Sequence, residues 1–315
     1  MDWIAGEHKP FPTHIQIQTT SACGAACQIC PHPVESPNWP NGLMDDELFN
    51  HIVAQLRGRE IEYLCPYLMA DPMSDRRIFD RVAALRSALP QTTLEMSTTG
   101  LYLVPKLADR LLESPISELR ISSHGISAAE YATTMPGVDF AKAMANIERF
   151  ISAWSTHQPF KLSVVCLWGL WPADREREIE AFWKEKGVEL SKWRVISRAE
   201  QVDLSIYGRA EPDPTSYHEG KRAPPYLCRH HRDTQWLHIL SDGRVTLCCM
   251  DYRHEEILGD VREASLEEIW NGEAFEQARA RIRGDAPAAP NFLCERCEYH
   301  VSQAVYEQCE LEAAS

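Results

Sequence analysis

From residue 14 to about residue 205, strand-like and helix-like segments alternate, and a chain built this way lays its strands side by side in a mostly parallel sheet. His14-Ile15-Gln16-Ile17-Gln18 reads as the first strand, with further strands expected at residues 61–64, 92–97, 118–122, 162–168 and 193–196. Helices fit between them. Asp45 is placed to cap a helix carrying Leu48, Ile52 and Leu56 at helical spacing, and residues 139–154 put Phe140, Met144, Ile147, Ile151 and Trp154 on one face. Six such units are too few for a closed eight-stranded barrel but enough for an open, curved one. Chemistry in such an α/β fold gathers at the C-terminal ends of the strands.

The loop after the first strand, Thr20-Ser21-Ala22-Cys23-Gly24-Ala25-Ala26-Cys27-Gln28-Ile29-Cys30-Pro31-His32, carries three cysteines at spacings of four and three. Three thiolates hold three irons of a cubane cluster and leave the fourth open, whereas a structural zinc site or a closed cluster takes four protein ligands. An open iron binds a small molecule and passes it an electron. The chain holds eleven cysteines, and its start, Met1-Asp2-Trp3-Ile4-Ala5-Gly6-Glu7, lacks the regions of an export signal, so metal or redox chemistry is expected rather than disulfides. No apolar run is long enough to span a membrane, and a soluble, cytoplasmic protein is expected. Its 46 acidic against 32 basic residues, a formal charge of -14, disfavour nucleic acid as a partner.

Residues 207–226 are polar and proline-rich, as in a connector, and the pattern then changes. Residues 235–240 and 244–248 alternate around Ser241-Asp242-Gly243, a hairpin signature, and Ser265-Leu266-Glu267-Glu268 is a capping box that opens a helix. A second cysteine group follows: Cys228, Cys248, Cys249, Cys294, Cys297 and Cys309. Spacing alone does not separate zinc from iron there. Cys65 and Cys166 stand alone between the groups, as either buried small hydrophobes or hydrogen donors.

Together these residues resemble the radical S-adenosylmethionine (SAM) enzymes, whose signature is this triad after the first strand of a partial (β/α)6 barrel. The resemblance implies that Cys23, Cys27 and Cys30 ligate a 4Fe-4S cluster whose open iron chelates the amino and carboxylate groups of SAM. One electron then cleaves SAM to methionine and a 5′-deoxyadenosyl radical, which takes hydrogen from the substrate. Ile29 would pack near the adenine. Asp71, in Pro66-Tyr67-Leu68-Met69-Ala70-Asp71-Pro72-Met73, stands where the family's Gly-Gly-Glu-Pro motif has glutamate, a shorter arm toward the SAM amino group. Ser97 and Thr99 match the ribose-contacting turn after the third strand, and Ser122 is the candidate partner of the SAM carboxylate. Arg198 matches an arginine that faces substrate or SAM after the sixth strand; Arg198 or His124 would serve as base if it faced the barrel mouth.

The C-terminal cysteines resemble the family's twitch/SPASM extension, a small α+β domain. Cys228, Cys248, Cys294 and Cys297 are then the ligands of one auxiliary 4Fe-4S cluster, Cys248 being favoured over Cys249 by its spacing from Gly243. The expected division is a barrel at residues 1–206, a connector at 207–227, the auxiliary domain at 228–309 and a tail at 310–315. One radical-generating cluster with one auxiliary electron acceptor implies a two-electron oxidation, alcohol to ketone, of a small polar biosynthetic substrate. A flavodoxin or ferredoxin would be the reducing partner. The alternatives are maturation of a ribosomal peptide by crosslinking or epimerisation, sulfur insertion, and a non-catalytic iron-sulfur electron carrier. Thirteen residues precede the first strand, so the leader-binding domain common in peptide maturases is expected to be missing.

Overall fold

The expected alternation is present in a computed structural model that describes residues 9–40, 42–207 and 224–307. Strands β1 (His14–Ile17), β2 (Tyr63–Cys65), β3 (Thr93–Thr99), β4 (Glu118–Ser122), β5 (Lys161–Trp168) and β6 (Glu189–Arg194) lie side by side in chain order. From β2 to β6 each neighbouring pair is parallel. Helices Asp46–Leu56, Ile78–Ala88, Pro105–Leu112, Phe140–His157 and Ala173–Glu185 make the crossovers. Asp45 caps the first of these, its Oδ1 accepting from the Leu48 amide at 2.7 Å. The helix Phe140–His157 buries Met144, Ile147, Ile151 and Trp154, the stripe read from the sequence.

Each strand presents two chemically distinct sets of side chains. Ile15 and Ile17, Leu64, Leu94 and Met96, Leu119 and Ile121, and Leu162 and Val164 are all at most 3% exposed. On β1 to β4 the alternate positions are mostly polar, Gln16, Tyr63, Glu95, Ser97, Glu118, Arg120 and Ser122, with Cys65 among them, whereas β5 follows Ser163 with Val165 and Leu167. A parallel sheet covered on both faces by helices reads as a continuous apolar run. Here one face is aliphatic and the other is built for polar company.

Two strands lie away from their expected places. Strand β6 starts at Glu189 rather than 193, because Gly187, at φ +71°, turns the chain back directly after its helix in a conformation that favours glycine. It pairs only with β5 among β1 to β6, and its sequence Glu-Leu-Ser-Lys-Trp-Arg is mostly exposed, so no apolar alternation marks it. Strand β2 begins at Tyr63 rather than Ile61, whose carbonyl accepts from the Thr92 hydroxyl at 2.7 Å.

The chain divides into two compact units, Gln16–Val195 and Met1–Ile15 with Ile196–Ser315. In the second unit β7 (Tyr226–Cys228) is followed by β8 (Trp236–Ile239), β9 (Arg244–Thr246) and β10 (Ile257–Asp260), which form an antiparallel meander. Strand β11 (His300–Ser302) returns to pair antiparallel with β7. The turn at Asp242-Gly243 forms as expected, with Gly243 at φ +101° and Asp242 accepting from the Arg244 amide at 3.1 Å. The capping box is also made: the Glu268 amide donates to Ser265 Oγ at 3.2 Å and the Ser265 amide to Glu268 at 2.9 Å. Residues 208–223 of the expected connector, Cys309 and the tail lie outside the described residues. No helix among the described residues is long and apolar enough to cross a membrane.

Candidate active site

The triad loop leaves the C-terminal end of β1 and is pinned at both ends. The Ser21 amide donates to the Gly42 carbonyl at 2.9 Å, and His32 Nε2 lies 2.9 Å from the Ser21 carbonyl oxygen. In the middle the Gln28 amide donates to Thr134 at 3.2 Å. Cys23, Ala25 and Cys27 pack against Tyr131, Met135, Val138 and Ala143. A Cβ at Gly24 would stand 2.7 Å from the Tyr102 hydroxyl oxygen and 2.8 Å from a Leu101 methyl, so those side-chain ends would have to shift to admit one.

Cys23, Cys27 and Cys30 are free thiols. Burial pushes the Cys23 thiol up to about 11, and the negative charge of Asp71 adds to the shift. Burial raises Cys27 further, followed by its neighbours Cys30 and Cys23. Two buried thiols that resist losing their protons, Cys23 and Cys27, with the Cys30 thiol on the same loop, are a donor set suited to cationic iron, whose charge offsets burial.

Asp71 follows β2 and opens the 3₁₀ turn Pro72–Ser74. It is 5% exposed and accepts three hydrogen bonds, from the Met73 amide at 3.0 Å, the Thr98 hydroxyl at 2.9 Å and the Thr99 amide at 3.1 Å. Burial outweighs those bonds and pushes its carboxyl up to about 6. Asp71→Ala leaves three buried donors without an acceptor, and an expected loss of about 3 kcal/mol follows from the usual cost of such groups. Urea unfolding measures it, with Asp71→Asn losing less; a loss below about 1 kcal/mol would mean the donors find other acceptors.

Thr99 and Ser122 are cross-strand partners at the ends of β3 and β4, and Ser97 sits one step back, level with Arg120. Ile29 is 8% exposed in the triad loop, and His124, just past β4, is 5% exposed. Sequence reasoning passed over Thr98, the residue that holds Asp71. The exchange of glutamate for the shorter aspartate is the signal that a neighbour had to reach toward the carboxylate.

Arg198 belongs to the second unit, in a turn where Arg198, Ala199 and Glu200 all take left-handed backbone, φ 52°, 58° and 62°. Non-glycine residues pay about 1–2 kcal/mol each for this. The Glu298 carboxylate holds the turn, accepting from the Ser197 amide, the Ser197 hydroxyl and, at 3.2 Å, the Ala199 amide. The Arg198 guanidinium donates to Met250 Sδ at 3.6 Å and lies 5.9 Å from the Tyr252 ring, so it sits beside the Cys248-Cys249 segment. Glu298→Ala is expected to cost about 2 kcal/mol in chemical denaturation, as one buried and two half-buried donors lose their acceptor and the turn is freed to relax.

The second cysteine group converges from three segments. Cys228 ends β7, Cys248 and Cys249 follow β9, and Cys294 lies in the turn Leu293–Arg296 with Cys297 directly after it. Burial raises Cys294, with Cys297 and Cys228 adding to the effect; burial and then Cys228 raise Cys297. The Met250 amide donates to Cys248 Sγ at 3.4 Å and the Tyr299 amide to Cys297 Sγ at 3.5 Å, bonds that favour a ligating thiolate. Cys249 also reaches this group: Cys248 donates to it, and Arg232 and His238 further favour its thiolate. Among the described residues no three such groups stand at single-ion spacing. That spacing belongs to one-ion sites, while a cubane distributes its thiolates over four irons.

Residues 228–298 match the SPASM family, described as an iron-sulfur cluster-binding domain. Comparison by sequence with curated proteins finds no match. The fold is similar to that of BtrN in complex with AdoMet and 2-DOIA, at 15% identity and a TM-score of 0.56, covering 94% of this chain and 100% of that one. It is also similar to Streptococcus suis SuiB bound to the precursor peptide SuiA, at 14% identity and a TM-score of 0.66, covering 87% of this chain and 68% of that one. A third similar structure is anSMEcpe with bound AdoMet, at 13% identity and a TM-score of 0.61, covering 91% and 86%.

Proposed function

The chain has the radical SAM fold with a SPASM iron-sulfur cluster-binding domain at residues 228–298, and from that premise we propose that it is a SAM-dependent oxidoreductase acting on a small polar molecule. Cys23, Cys27 and Cys30 hold the 4Fe-4S cluster that binds SAM, and Cys228, Cys248, Cys294 and Cys297 hold an auxiliary 4Fe-4S cluster. When bound, the first cluster with SAM supplies a one-electron cleavage that yields a hydrogen-abstracting species, and the second supplies an electron acceptor. Asp71 presents the polar end of the SAM subsite beside Cys23, Thr99 and Ser122 line the strand ends, and Ile29 gives an apolar wall for the adenine. Turning an alcohol into a ketone also releases a proton. His124, buried at the end of β4, is the acceptor in this reading. Arg198 keeps its proton at any working pH and acts as a fixed positive charge near the auxiliary cysteines. A small reducing protein such as flavodoxin or ferredoxin supplies electrons, and a cytoplasmic setting fits such a donor.

The observation that carries the oxidation is the auxiliary site. Its four thiols saturate a cluster without an open iron, which suits electron acceptance better than substrate binding. The similarity to BtrN over that chain's whole length supports this reading, and the layout resembles 2-deoxy-scyllo-inosamine dehydrogenase. The second reading, peptide maturation, has support from the likeness to SuiB bound to SuiA and to anSMEcpe bound to the Cp18Cys peptide. Anaerobically reconstituted protein given SAM, a reductant and a panel of small polar alcohols, hydroxy acids among them, is expected to release an oxidised product lacking two hydrogens, in step with 5′-deoxyadenosine. Turnover of peptides but of no small alcohol would favour maturation.

A further inference from the structure

Strands β2, β3 and β4 bring a charged cluster together on the polar face of the Gln16–Val195 unit. Glu95 is 1% exposed and accepts from two donors: Cys65 Sγ at 3.2 Å to Oε2, and the Tyr67 hydroxyl, which lies 3.0 Å from Oε1 and 2.8 Å from Oε2. Arg120 stands in front of it, 3.8 Å from Glu95 and 3.9 Å from Glu118, beyond hydrogen-bond length in both cases. Of its five N–H donors, one, on Nη2, is engaged among the described residues, to the Tyr63 hydroxyl at 3.0 Å. The Arg120 side chain is 29% exposed, and the guanidinium lies 5.7 Å from the ring of Trp193, itself 44% exposed.

A guanidinium anchored from behind by a buried carboxylate, walled by an aromatic ring and left with unused donors is an anion receptor. The same polar alternation on β1 gives an independent sign of a ligand. Gln16 and Gln18, opposite in alternation to Ile15 and Ile17, are 6% and 2% exposed, and the side-chain oxygen of each has no hydrogen-bond partner. Buried amide oxygens are rarely left so. In a chain of formal charge -14, an acidic ligand also has to be attracted locally.

We propose that this face is the substrate-binding wall, and that Arg120 takes a carboxylate of the substrate through paired, charge-assisted hydrogen bonds while Gln16 and Gln18 contact other polar groups of the same molecule. Arg120 lies two residues, about 7 Å, below Ser122, which places the substrate next to the strand ends where SAM is expected. The inference rests on the SAM-dependent reading above and narrows its substrate to an acid.

Calorimetric titration of the full-length, cluster- and SAM-loaded protein tests it with matched probes. Benzoate is set against benzamide for a free small acid, and Ac-Gly-Phe-Gly with a free C-terminus against its C-terminal amide for a peptide acid. In at least one pair the carboxylate is expected to bind at least about tenfold more tightly than the amide, the pair that discriminates naming the source. Arg120→Met is expected to abolish the preference and Arg120→Lys, which keeps charge without the paired donors, to restore part of it. No preference in either pair, or a preference unchanged in both variants, overturns the inference; the wild-type contrast stands even if a variant fails to fold. Release of 5′-deoxyadenosine is followed on the same preparations. Its absence from wild type sinks the SAM-dependent reading without touching the carboxylate contrast, and its presence without that contrast sinks only the acid site.

Discussion

Replacing Cys23, Cys27 and Cys30 together by alanine is expected to lower the iron of reconstituted protein from about eight to about four per chain and to weaken SAM binding by at least about a hundredfold. The effect is large because SAM would lose its metal chelation, leaving contacts such as those near Asp71, Thr99 and Ser122. The fold should survive. Ala25 holds the middle of the loop against Tyr131 and Met135, and the Ser21–Gly42 and Gln28–Thr134 bonds use backbone groups that the exchange does not alter. Iron analysis, calorimetry with SAM and circular dichroism on one preparation separate these effects. Eight irons retained in the triple variant would mean that the triad holds no cluster.

The second large effect is expected at the other end of the chain. Cys294→Ala with Cys297→Ala removes two ligands from one turn and should also leave about four irons per chain, now with SAM binding intact. Stability should respond differently from the triad variant. The proposed auxiliary ligands come from β7, from the segment after β9 and from residues 294–297, so a cluster there would join three parts of the chain. Its binding free energy therefore contributes to folding, whereas the triad lies within one short loop. The melting temperature should fall clearly below that of the triad variant. Cleavage of SAM should continue while oxidised product is lost, and product formed at the parent rate would remove the auxiliary cluster from the reaction.

What was legible in the sequence was local. The Asp45 cap, the Ser265–Glu268 box and the Asp242-Gly243 turn each depend on residues within one or two turns of chain, and each formed as read. Strand β6 was misplaced because its exposed, polar sequence gives no alternation to find. The Glu298 clamp was invisible for another reason: it joins residues 101 positions apart, and nothing near Ser197 announces three left-handed residues in succession. Nor does the sequence near Arg198 announce that its guanidinium lies against Met250 and the Tyr252 ring. The charges of Glu95, Glu118 and Arg120 were on the page from the start. Their meaning needed the strand register, which aligns Glu95 with Glu118 and sets Arg120 against Ser97 on the same face.

The central claim is that a three-thiolate cluster beside Asp71 cleaves SAM. Its most direct test is 5′-deoxyadenosine measured after anaerobic reduction of the reconstituted protein with SAM, alongside the Cys23, Cys27 and Cys30 triple alanine variant. The account predicts 5′-deoxyadenosine from the parent protein and none from the variant. None from a parent protein that holds about eight irons per chain, or equal amounts from both, would contradict it.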